Sequence, residues 1–133
     1  MNLIGLEKLK TILADGKDLS AAFHYFLDHF GEKEAFLNLG KPKRHPLLES
    51  LLTAVAGQMF GKKVAMKRLF LIPVPGTKFI HGAGLCDGRP INVIYFDDIK
   101  VGIAAVMRPP NGSTQYSRFS AQMIPPEAAP SNN

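Results

Sequence analysis

His81 and Asn92 are the side chains whose type and spacing best fit chemistry on a ligand. Asp87-Gly88 is a two-residue hairpin signal. If it closes a turn, Cys86 pairs with Arg89. Counting back sets Ala83 opposite Asn92, His81 opposite Ile94, and Phe79 opposite Phe96. These residues share one face, so an imidazole and a carboxamide stand among aromatic and aliphatic groups, as in a pocket for a small apolar ligand. The expected ligand-binding set is therefore His81, Asn92, Phe79 and Phe96. The competing reading is that His81 and Asn92 bond to neighbouring backbone or face solvent. The opposite face carries Gly82 and Gly84 across from Val93 and Ile91, a bare strip that invites a packed helix or a close ligand.

Other chemistry-bearing groups are less well arranged. Cys86 falls on the face opposite His81, so no base reaches it, and it reads as a small buried hydrophobe. His24 and Asp28 are four apart on a helical stretch, but His29 is turned away from His24 by about 500° of helical rotation. No chelating face results, and no metal or cofactor is expected. Lys41, Lys43, Arg44 and His45 precede the third helical segment, and Lys62, Lys63, Lys67 and Arg68 follow it. If these clusters approach each other they form an anion patch, for which Lys41, Lys43, Arg44, Lys62 and Lys63 are the candidates; a solvated charged surface is the alternative. Asp97 and Asp98 are turn residues.

The formal charge of +5 is unevenly spread. Residues 1–60 carry seven Lys/Arg against seven Asp/Glu, and residues 61–133 carry nine against four. Such an excess attracts polyanions without specifying one. The single cysteine excludes an internal disulfide, and neither a signal-peptide pattern nor an apolar run of membrane-spanning length is present. A cytoplasmic location without membrane contact is the expectation.

The elements that must position these groups follow from periodicity. Leu3, Leu6, Leu9, Ile12 and Leu13 make the apolar stripe of a first helix, Leu3 to Ala14. Asp18 is an N-cap for a second, whose stripe is Leu19, Phe23, Phe26, Leu27 and Phe30, with Gly31 as the stop. Residues 32–44 read as a connector. Pro46 opens a third helix carrying Leu48, Leu51, Leu52, Val55, Ala56 and Met59, and Gly61 ends it. After Gly61 the pattern turns to β-branched and aromatic runs, predicting strands at 64–72, 78–86, 91–96, 101–108 and 114–123, with Asp87-Gly88 and Asn111-Gly112 at hairpin tips.

The expected fold is α+β: about three N-terminal helices packed on a four- to five-stranded antiparallel β-meander, one domain over 1–124 with a flexible tail over 125–133. The run Val101 to Met107 is apolar on both faces. Three short helices that cover one face leave the other to a second copy, so the leading expectation is a non-catalytic binding or assembly module that self-associates as a homodimer. A small-molecule pocket protein or enzyme at His81 and Asn92 is one alternative. Polyanion or nucleic-acid binding through the basic clusters is the other.

Overall fold

The structure is a computed structural model that describes residues 3–30, 41–108 and 112–123. It contains helices α1 (Leu3–Asp15), α2 (Leu19–Phe30) and α3 (Pro46–Phe60). Strands β1 (Met66–Pro73), β2 (Phe79–Cys86), β3 (Arg89–Phe96), β4 (Val101–Arg108) and β5 (Ser113–Ser120) follow, and a short 3₁₀ turn at Ala121–Met123 ends the described chain. The strands form one antiparallel sheet in sequential order, which is the expected α+β meander. None of the described helices is long and apolar enough to cross a membrane.

Local chemistry accounts for most element boundaries. Asp18 Oδ1 accepts the amide of Ala21 at 2.9 Å and caps α2 as expected. Gly61, at φ +67°, ends α3 in the left-handed conformation that a Cβ disfavours. Asp87 and Gly88 both have positive φ, the geometry of a type I′ hairpin, and they fix the β2–β3 register. Phe79↔Phe96, His81↔Ile94, Ala83↔Asn92 and Cys86↔Arg89 are all paired as the sequence predicts. Gly112 has φ +70° between β4 and β5, while Asn111 lies outside the described residues.

The packing departs from expectation in one decisive respect: the helices divide between the two faces of the sheet. On one face α1 and α2 bury Leu6, Leu9, Leu13, Phe23 and Phe26 against Phe79, Ile94, Phe96, Ile103 and Ala105. On the other, α3 buries Leu48, Leu51, Leu52 and Val55 against Ile80, Ile91, Val93, Tyr95, Ala104 and Val106. Strand β4 is therefore covered on both sides within a single copy, and the reason for expecting a second copy there falls away. Leu27 is also displaced from its expected place: it stands on the flank of α2, 46% exposed, rather than in the buried stripe.

The bare strip on β2 is filled by the chain itself. A Cβ on Gly82 would meet Leu71 Cδ2 at 2.7 Å, and one on Gly84 would meet Leu69 Cα at 3.0 Å and the Lys67 carbonyl at 3.2 Å. Here β1 bulges between Lys67 and Phe70, with Arg68 at φ +54°, and the bulge lies over Gly84. The glycines admit a neighbouring strand, not a ligand.

Candidate functional site

The four residues of the expected apolar pocket share a face but do not line a common cavity. Phe79 and Phe96 are buried in the core, where Phe79 packs on Phe26 and Phe96 with ring centroids 5.7 and 5.1 Å apart. His81 lies one row further along, under the Phe26 ring at 5.3 Å, and burial lowers its pKa to about 4. It is therefore neutral at pH 7. Asn92 is in the next row and exposed. Cys86 is fully buried on the α3 face, and burial raises its thiol pKa, so it is held as an unreactive thiol.

The basic clusters also separate. Lys41, Lys43 and Arg44 precede α3 and Lys62 and Lys63 follow it, so a 15-residue helix of about 22 Å stands between them. Each cluster gains other partners. The β1–β2 and β3–β4 turns meet at the proximal end of the sheet with the first cluster, and the β2–β3 turn stands at the distal end with the second.

At the proximal end His45 forms a clasp. Its Nδ1 accepts the Leu48 amide at 3.1 Å, which caps α3, and its Nε2 lies 3.1 Å from Asp97 Oδ1. With Nδ1 accepting, the Nε2–H donates to the carboxylate. With both nitrogens engaged, His45 is a structural tie between helix and sheet and not a free base. Lys100 Nζ donates to the same Asp97 oxygen at 2.9 Å. Burial works against the charge on Asp97, yet Lys100 and His45 hold its carboxyl below the usual range. The buried Tyr95 hydroxyl makes no hydrogen bond of good geometry, and burial together with the nearby Asp97 charge pushes its pKa up to about 12. His45→Ala is expected to lower stability by about 1–2 kcal/mol through loss of the cap, and His45→Asn to recover most of it, both measurable by urea denaturation.

Beside this clasp is a cleft of about 230 Å³. Leu71, Pro73, Phe79 and Ile80 give it apolar walls, and Lys43, Arg44 and Lys78 stand at its rim with His45 and Asp97. The amide of Lys43 donates to the Leu71 carbonyl at 2.9 Å and so fastens the segment before α3 to the edge of β1. One expected pocket residue, Phe79, and two expected anion-binding residues, Lys43 and Arg44, thus meet in a place that sequence spacing did not indicate.

At the distal end Lys62 reaches Asp87 at 3.9 Å, Arg89 lies over the Phe60 ring at 5.2 Å, and Lys67 pairs across to Leu85. Lys62, Lys63, Lys67 and Arg68 are exposed, and Arg89 joins them from β3. Phe70, 55% exposed, shares the face of Lys67, because Leu85 and Ala83, their partners, are two apart on β2. Sequence reading missed Lys78 and Arg89, and it placed His45 in the basic cluster without its role as a helix cap. Lys78 and Arg89 lie next to turns and are brought in by the sheet, and histidine is not among the usual helix caps, although its position before Pro46 marked the helix start.

Comparison with protein-family models, with curated proteins and with solved structures finds no match, so function is read from the geometry alone.

Proposed function

We propose that the chain is a non-catalytic binding module that engages single-stranded nucleic acid across the distal end of its sheet. The observation that carries this reading is the concentration there of five cations, Lys62, Lys63, Lys67, Arg68 and Arg89, with Lys67 on the same face of the sheet as the exposed ring of Phe70 and Arg89 on the α3 face. A basic surface tracks a phosphate backbone, and an exposed aromatic ring beside it offers a base a stacking platform. The engagement of His45, the partial burial of His81 and the burial of Cys86 support a binding role over catalysis.

Fluorescence anisotropy with a labelled oligothymidylate tests the reading. The logarithm of affinity is expected to fall linearly with the logarithm of salt concentration, with a slope of about −3 for four to five phosphate contacts at about −0.7 each. Phe70→Ala should weaken binding about tenfold, as the loss of one stacked base does. Joint replacement Lys67→Glu and Arg68→Glu should abolish it. Absence of binding at low salt, or binding indifferent to these changes, would refute the proposal. Binding to anionic vesicles without oligonucleotide binding would replace nucleic acid by a membrane surface as the partner.

A further inference from the structure

We propose that the proximal cleft is a second, separate binding site that takes a small organic anion, a carboxylate or phosphate on an apolar body of about one ring. Around this end of the molecule Arg44 makes a bidentate bond to Glu49, Lys10 pairs with Asp98 and Glu7, and Lys100 pairs with Asp97. Among the described residues, Lys43 and Lys78 have no carboxylate partner, and both stand at the rim of the same cleft. Asp97 also lines it, but its charge is shared between Lys100 and the His45 Nε2–H, so it opposes an incoming anion only weakly. Two unneutralised ammonium groups over a floor that would repel a hydrated inorganic ion select a ligand with one charged end and one apolar end.

Size and rigidity set the ligand class further. About 230 Å³ is below the roughly 300–1,000 Å³ of pockets that enclose drug-sized molecules, which limits the occupant to about one ring with its acid group. The walls are held in place. The Thr77 hydroxyl donates to the Val74 carbonyl at 2.8 Å and accepts the Phe79 amide at 3.1 Å, locking the β1–β2 turn, and the His45 clasp fixes the other side. A preorganised cleft of this kind binds without ordering its own backbone. The site lies at the opposite end of the sheet from the proposed nucleic-acid surface, and the two stand or fall independently.

The test is an amide-resolved NMR titration of the whole chain with four probes: benzoate, phenyl phosphate, benzamide and inorganic phosphate. Benzoate or phenyl phosphate is expected to give saturable shifts confined to the amides of Leu48, Thr77, Lys78, Phe79 and Ile80, and the tighter of the two identifies the head group. Benzamide and inorganic phosphate should each bind at least about tenfold more weakly, lacking the charge or the apolar body. Joint replacement Lys43→Gln and Lys78→Gln, at two exposed positions that leave the fold intact, should weaken the aromatic anion by about tenfold or more, while Lys67→Glu leaves it unchanged. Saturation absent for both aromatic anions, equal binding of benzamide or inorganic phosphate, or an unaffected double variant would each overturn the proposal.

Discussion

Acidification from pH 7 to pH 4 is expected to remove about 3 kcal/mol of stability through His81 alone. Burial depresses its folded-state pKa from 6.5 to about 4. Between those values the unfolded chain binds a proton that the folded chain refuses, so stability rises with pH across this window and falls as pH is lowered through it. A shift of about 2.5 units at about 1.36 kcal/mol each sets the size. The loss begins near pH 6.5 and is complete below pH 4. The carboxyls of Asp97, Asp98 and Glu49, all held below their usual range, add their own losses at the acid end of the scale, because their native-state bonds require the charged form. Urea denaturation of the parent and of His81→Leu at pH 7.5 and pH 4.5 separates these sources. The variant should lose the His81 part of the pH slope and keep the carboxylate part. An unchanged slope between pH 6.5 and 4.5 would show that His81 is not held neutral by its burial.

Gly102→Ala is expected to cost about 3 kcal/mol or more and to leave the chain largely unfolded in mild urea. Gly102 pairs with Tyr95 on one side and Phe119 on the other, and the Phe119 ring stacks on Tyr95 at 5.9 Å with planes only 8° apart. That stack passes over the glycine. A Cβ there would stand 2.4 Å from Phe119 Cζ and 2.6 Å from the Ile94 carbonyl. The ring can yield only by leaving the core, and the carbonyl belongs to the neighbouring strand, so overpacking strains both the aromatic layer and the ladder. Adding Phe119→Leu to Gly102→Ala should recover part of the loss. Near-parental melting of the single variant would contradict the close packing.

The β2–β3 hairpin was fully legible because its determinants are local. A two-residue turn at Asp87-Gly88 fixes the register, and the period of two then assigns a face to every side chain from Phe79 to Phe96. The same register that placed His81 and Asn92 together on one face could not say that Phe26 of α2 packs on the first and leaves the second exposed. The glycines at 82 and 84 were legible as a demand for space and illegible as to who fills it, since the bulge of β1 that does so is more than ten residues away.

Among the described residues, sequence alone determined the kind and order of the elements: three amphipathic or broadly apolar helices, then a meander of strands, each set by short-range periodicity, caps and turn residues. It did not determine which face each helix takes. Hydrophobic burial is non-directional, so the apolar stripe of α3 is satisfied equally by either side of the sheet. Only the tertiary structure placed α1 and α2 on one face and α3 on the other, closing β4 within a single copy. The same arrangement decided the candidate sites. Charges are solvated wherever they fall, so no pattern along the chain links Lys43 to Lys78 or Lys67 to Arg89; the antiparallel ladder, together with the backbone bond of Lys43 to Leu71, brings them to the same ends of the sheet.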